Sequence, residues 1–171
     1  GSALGNLILG PRTAVHKGPR LKDFSVPQHT YGSFIPVIYG AYRLSCPLLW
    51  VSDVKEAKTS VLTRGKGSNL RSHLFTYSCS IAVAIGEGVI DRVLRIWADD
   101  QLIYDATQGC VKKYDTIVRI YSGTEDQLSD PTIESYEGIE CTPAYRGLAY
   151  IVFEDFPLGD FGNRIPHFSC E

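Results

Sequence analysis

Three adjacent acidic pairs, Asp99-Asp100, Glu125-Asp126 and Glu154-Asp155, are the first residues of this chain whose type suits chemistry. Hydrolysis of a glycosidic bond needs two carboxylates facing each other across that bond, several ångströms apart and usually from different strands. Neighbours along a strand point to opposite faces, so no adjacent pair makes that constellation. The turn preference of Asp and the solvation of strand ends account for all three. The histidines, His16, His29, His73 and His167, include no two at metal-ligand spacing and no H-E-x-x-H pattern. The cysteines are Cys46, Cys79, Cys110, Cys141 and Cys170, an odd number spaced about thirty residues apart with no C-x-x-C pair. Metal clusters and redox motifs use close pairs, so free thiols in a protein made in a reducing cytoplasm are expected. No serine sits in a G-x-S-x-G elbow and no P-loop occurs. Gly86-Glu87-Gly88 opens like a dinucleotide loop, but Asp91 stands where the third glycine belongs, and Gly65-Lys66-Gly67 is equally weak as a phosphate loop. No catalytic residue, no metal site and no cofactor are expected.

The elements that would carry any site read as strands. Residues 71–85 alternate strictly: His73, Phe75, Tyr77, Cys79, Ile81, Val83 and Ile85 on one face, Leu74, Thr76, Ser78, Ser80, Ala82 and Ala84 on the other. That is the period of a strand. At about 3.3 Å per residue it spans roughly 50 Å, so a bend or break is expected within it. The bulky face must be buried by the domain, and His73 on it reads as a packed or core-edge residue rather than a base. The small, hydroxylated face suits another layer at close approach, a wet channel, or plain solvent. Further strands are expected at Phe34–Tyr39 (an edge strand or one that starts after Pro36, which lacks an N–H), in the apolar run 47–54, in a hairpin over 90–104 turning at Asp99-Asp100, at 117–121 and at 147–154. Residues 58–69, polar with two glycines, read as a mobile hairpin loop. One two-turn helix is expected at Pro131–Glu137, with Asp130 as N-cap and Gly138 at its end. The fold class is mainly β, a β-sandwich or barrel-like, with one short helix. Residues 1–20, punctuated by Gly and Pro, read as a flexible leader; 21–171 form the β-rich domain, with a boundary between sub-lobes near 58–69. In the segment 160–166, Asp160, Gly162 and Asn163 form a turn, and Arg164 is placed to reach carbonyls or a carboxylate with its fork.

Composition bounds the function. With 171 residues, 44% hydrophobic and 21% charged, the chain has an ordinary globular make-up and enough length for a core. Lys and Arg number 17 against 19 acidic residues, a net charge of -2, which argues against a dedicated nucleic-acid binder. No run approaches the roughly 18 apolar residues of a membrane-spanning helix. Ten Tyr and two Trp leave room for a carbohydrate-binding module, although scattered aromatics usually pack in cores.

A resemblance carries the reading further. Gly18-Pro19-Arg20-Leu21-Lys22-Asp23-Phe24, with Thr30-Tyr31-Gly32, Ile35-Pro36 and Tyr39-Gly40, resembles the opening of a phage tail family known from gene transfer agents and siphophage tail tips. Phe75-Thr76-Tyr77-Ser78, Ile81 through Ile90 and Arg95-Ile96-Trp97-Ala98-Asp99 resemble its next blocks. Tyr121 through Gln127 with Asp130-Pro131, Pro143 through Tyr150, Phe153-Glu154-Asp155 and Leu158 through Pro166 complete the series in order over 18–169. Val89 replaces the family's usual proline, and Cys79 a small Ser or Ala.

The family is similar to the lambda-type central tail-tip protein and to the hub of contractile baseplates. The resemblance implies a fragment of a longer hub protein, a virion tail-tip part made in the bacterial host cytoplasm. Its implied partners are other hub subunits in a homotrimer, distal tail and tail-tip proteins, and genomic DNA passing without sequence-specific binding. Host attachment and DNA ejection are the implied tasks. Under that resemblance the small face (Thr76, Ser78, Ser80, Ala82, Ala84) is expected to line the channel or meet a neighbouring subunit, and Arg164 to support assembly. The alternatives are a cell-wall or glycan hydrolase module of the virion and a carbohydrate-binding, host-recognition module.

Overall fold

The computed structural model describes residues 15–17, 34–65 and 68–171. Its spine is the alternating segment itself, a strand longer than expected. In chain order the strands are β1 (Val15–Lys17), β2 (Leu44–Cys46), β3 (Leu48–Val51), β4 (Lys55–Gly65), β5 (Ser68–Glu87), β6 (Arg95–Ala98), β7 (Gln101–Asp105), β8 (Val111–Lys112), β9 (Ile117–Ser122), β10 (Leu148–Pro157) and β11 (Phe168–Cys170). The helix α1 spans Pro131–Glu137 and a 3-10 turn spans Gly159–Phe161. Of the expected leader, β1 is described and pairs in parallel with β5; the rest of residues 1–20 lies outside the described residues.

Two sheets form, one in the order β1-β5-β10-β9 with β3 and β4 added along β5, the other in the order β2-β11-β6-β7-β8. One edge of β5 is covered in turn by β4 (Lys55↔Ser78 to Gly65↔Ser68) and β3 (Val51↔Ile81, Leu48↔Val83). The other edge takes β10 and, further out, β1. The strand runs unbroken through all 20 of its residues, so of the expected bend or break the break does not occur. Its neighbours are irregular instead, and two of these irregularities fall opposite Ser80. On one edge β3 and β4 part at residues 52–54; on the other β10 bulges between Phe153 and Phe156, with Asp155 at φ 51°. The Ser52 hydroxyl accepts from the Ser80 N–H (2.9 Å), and the Ser80 hydroxyl accepts from the Asp155 N–H (3.1 Å), so two hydroxyls satisfy the backbone that bulging would strand.

The bulky face of β5 meets the second sheet. Cys79, Ile81, Val83 and Ile85 are buried with Ile151, Phe153 and Phe156 of β10, against Ile96, Ala98, Phe168 and Cys170 of the other sheet. Ring pairs Phe153–Phe168 (4.8 Å, stacked) and Phe156–Phe168 (5.4 Å, edge-on) bridge the layers. The mainly β reading with one short helix holds.

Three local expectations do not. Residues 58–65 and 68–69 are paired strand, because β5 supplies a full ladder to a polar sequence that composition alone reads as loop; residues 66 and 67 lie outside the described residues. Phe34–Tyr39 makes a single parallel bridge, Val37↔Glu87, in place of a strand. It crosses the end of β5, where the Pro36 carbonyl accepts from the Glu87 N–H, and a Cβ on Gly86 would stand 2.8 Å from Ile38 Cδ1 and 2.9 Å from Pro36 O. The 90–104 hairpin is real only over β6 and β7, with Asp99-Asp100 as its turn; residues 90–94 are irregular.

Candidate functional site

The small-residue face of β5 divides into two parts. Ser80 and Ala82 are fully buried and Ala84 is 2% exposed, whereas Ser78 is half-buried and Thr76 exposed. Ala82 packs within this chain, in a cluster with Ile133 of α1 and Tyr150 and Val152 of β10, bordered by Leu49, Trp50, Tyr121 and Tyr145. Of the face expected to line a channel or meet a neighbouring subunit, Ala82 is thus the floor of a third layer within this chain, and Ser80 and Ala84 are buried on the same strand. Residues without bulk let aromatic rings lie flat over the sheet, and the Tyr121 and Tyr150 rings stack at 4.4 Å there.

A buried ion-pair network anchors that layer. Asp130 caps α1, accepting from the Thr132 and Ile133 N–H groups on one oxygen. Its other oxygen accepts from Arg119 Nε (2.8 Å) and from the Tyr121 hydroxyl (2.8 Å). The same guanidinium donates to Glu154 (2.9 Å) and to Thr132 Oγ1. Burial by itself raises the Asp130 carboxyl, but Arg119, Tyr121 and the capped backbone outweigh it and hold it below the usual carboxylate value. At the far end of α1, Trp50 Nε1 donates to Glu137 (2.8 Å). The helix is thus fixed to β3, β9 and β10 through one carboxylate at each end.

Arg164 lies elsewhere, in an open groove of about 660 Å³ lined by Arg43, Ser45, Asp99, Asp100, Arg164 and His167. Its fork reaches Asp99 (2.8 Å), and Asp99 also accepts from the His167 N–H (2.9 Å). Those two partners overcome the effect of burial and lower the Asp99 carboxyl. Asp99 occupies the β6–β7 turn at φ 51°, so the arginine pins that turn to the segment before β11. Arg43 stacks over Trp97 at 4.3 Å and donates to the Ser169 hydroxyl.

Sequence reading missed one contact with chemical potential: Ser45 Oγ lies 2.8 Å from His167 Nε2, across 122 residues of chain. A nucleophilic serine needs its histidine oriented by an acid on the second ring nitrogen. Asp99 instead engages the backbone of His167, and Arg164 takes its remaining capacity. Cys46 and Cys170, also distant in sequence, meet at 3.2 Å in the core; the Cys170 thiol, hydrogen-bonded by Cys46, is lowered, and that contact and burial raise Cys46. The acidic pair Glu154-Asp155 splits as strand geometry requires, Glu154 to Arg119 and Asp155 to Lys55 (2.7 Å). Among the described residues no group of three His, Cys, Asp or Glu side chains is arranged to hold a metal ion. No helix among them is long and apolar enough to cross a membrane.

Fold and surface together define a two-sheet β domain with one helical cover. No family model and no curated protein matches the chain. Among solved structures it is similar to a chain of one described as "Virion of native gene transfer agent (GTA) particle", at 35% identity and a TM-score of 0.61. The similarity covers 90% of this chain and 28% of that one, so this chain spans little more than a quarter of its relative's length. The likeness, in sequence as well as fold, supports a phage-like virion structural protein.

Proposed function

We propose that this chain is part of the hub at the tip of a phage or phage-like tail, assembling as a trimer below the tail tube with distal tail proteins and contributing to host attachment and DNA passage. One observation carries the reading: 35% identity, sustained over 90% of the chain, to a chain of a gene transfer agent virion. The hub assignment within the virion rests further on the ordered strings of the resemblance, above all Arg95-Ile96-Trp97-Ala98-Asp99 and the segment Leu158 to Pro166. The reading assigns the chain no catalytic step. In support, Asp130 and Glu154 are both paired with Arg119 and Asp99 with Arg164, and among the described residues no acid is hydrogen-bonded to the ring of the Ser45–His167 pair.

A tag on this chain, imaged by gold labelling in negative stain of intact particles, tests the assignment. Label at the tail tip is the expected result; label on the capsid or tube wall, or none in purified particles, refutes it. A zymogram on host peptidoglycan and a glycan array test the rest. A cleared band would return the hydrolase reading, and specific glycan retention the recognition module.

A further inference from the structure

Two thiols that belong to none of the ion-pair networks meet in the core. Cys46 lies on β2 and Cys170 on β11, 124 residues apart, and their sulfurs stand 3.2 Å from each other. Both side chains are buried, at 4% and 1% exposure. The two strands are paired neighbours, with Cys46 opposite Phe168 and Cys170 opposite Leu44, so the thiols sit diagonally across the ladder. Sulfurs in a disulfide are about 2.05 Å apart, so a bond here needs a closure of roughly 1 Å. The strand β2 can supply it, being three residues long and at the edge of its sheet with β11 as its neighbour there. The Cys46 S–H donates to the Cys170 sulfur, which favours a Cys170 thiolate and makes it the nucleophile of the pair. A thiol pair could also hold a metal, but among the described residues no third ligand gathers with it. Both sulfurs border clefts. Cys46 lines one of about 190 Å³ with Val83, Ile165 and Phe168; Cys170 lines one of about 420 Å³ with Ile85 and Val93. Each is several times the roughly 30 Å³ of a water molecule, room enough for a peroxide.

We propose that Cys46 and Cys170 are a cross-linking site, joined by a peroxide into a disulfide that ties β2 to β11 once the chain has left the reducing cytoplasm. The Cys170 thiolate attacks one peroxide oxygen, the O–O bond breaks, and the hydroxide released is protonated to water. Cys170 is then a sulfenic acid in contact with a second thiol, the arrangement that condenses to a disulfide. Cys46 gives up its proton and attacks the Cys170 sulfur; the S–S bond forms, the S–O bond breaks, and a second water leaves. Two thiols lose two electrons, and one peroxide becomes two waters. The bond closes a loop of more than a hundred residues, the length at which a cross-link constrains the unfolded chain most. It also fastens β11, which stands between β2 and β6, in the place that completes the second sheet. The timing rests on the reading of the chain as a virion protein, because a particle outside its host has left the glutathione pool behind. The bond itself rests on geometry alone.

The folded, unmodified chain, treated with hydrogen peroxide, alkylated and digested without reduction, tests the bond. The expected product is a peptide pair joined through Cys46 and Cys170, with a melting temperature about 10 °C above that of the reduced chain. Dithiothreitol should reverse both. Cys79 is an internal control: it is equally buried, burial pushes its thiol up to about 12, and it should stay unmodified. Cys170→Ala should abolish the linked peptide and the rise in melting temperature. If that variant fails to fold, the peptide map of the unmodified chain still decides. Recovery of Cys46 and Cys170 as free thiols or as separate sulfinic acids, while the exposed Cys110 and Cys141 have reacted, overturns the proposal. So does a link that forms only in denaturant. For the timing, released particles and producing cells are each opened in N-ethylmaleimide. The link is expected in particles and not in cells. Particles that carry the chain with both thiols free, or cells that already hold the link, refute the proposal. A chain that links in solution but is absent from purified particles refutes the virion reading alone.

Discussion

The two halves of β5 share an alternating pattern and meet different fates. In the inner half, Ser80, Ala82 and Ala84 are buried, Ala82 against α1 and a stack of tyrosines; in the outer half, Leu74 and Thr76 of the same face lie open. What separates them is the partner. The inner half is flanked by β3 and β10, which bring Trp50, Tyr150 and Val152, and α1 is clamped over them by Asp130. The outer half is paired with β4 and briefly with β1, and no described side chain is piled on its Leu74. A row of small residues therefore does not say whether it is a surface or a floor. The layer laid on it decides.

The sharpest way to break this contrast is to place one bulky charge in each half. Ala82→Arg buries an unpaired guanidinium under α1 and should cost more than about 4 kcal/mol, enough to abolish a cooperative thermal transition. A folded, stable Ala82→Arg chain would show that the face is open after all. Asp130→Ala removes both the helix cap and the partner of Arg119 and should cost about 3–5 kcal/mol by chemical denaturation. Its carboxyl is depressed in the fold, so the unfolded chain takes up the proton first. The stabilisation is full above the unfolded value near 3.9 and is lost as pH falls through the lower folded value. Melting temperature followed down from neutral pH should drop through that acid range, and Asp130→Asn should flatten the drop; an unchanged slope would remove Asp130 from the account. Arg164→Ala, on a pair more than half open at the arginine, should cost about 1 kcal/mol or less, read as a small change in denaturation midpoint. Smallest of all, Thr76→Arg in the outer half should stay within about 0.5 kcal/mol. A large loss there would mean that the outer half is covered in the monomer.

Much of the fold was legible because local rules agreed. Strict alternation gave β5, and Asp130-Pro131 followed by Gly138 gave α1 with its cap, since capping needs only neighbouring residues. The loop expected at 58–69 failed because polar composition speaks of solvent exposure, and Lys58, Thr59 and Ser60 are exposed although they are strand; their backbone is satisfied by a partner strand the composition does not show. Phe34–Tyr39 looked like a strand by residue type, yet Pro36 and the close passage over Gly86 limit it to one bridge. Arg119 was visible only as a charge in the apolar string Ile117 to Tyr121, a position where burial demands a counter-charge, but nothing local named Asp130 and Glu154 as its partners. Ser45–His167 and Cys46–Cys170 were illegible for a different reason. Both depend on residues 122 and 124 positions apart in the chain meeting in one sheet.

That meeting sets an order of events. The strand β11 lies between β2 and β6, so β2 has no neighbour in its sheet until residues 168–170 arrive. Closing a loop of more than a hundred residues is slow, and it is the step on which the second sheet waits. A nascent chain leaving the ribosome can form the β4–β5 ribbon early, from local contacts, long before it can bury the bulky face of β5. It therefore holds its arm ready while its core is still open. The ribosome delivers the strand that closes the core only after the other ten described strands, so premature pairing of exposed edges is the hazard this topology must outrun.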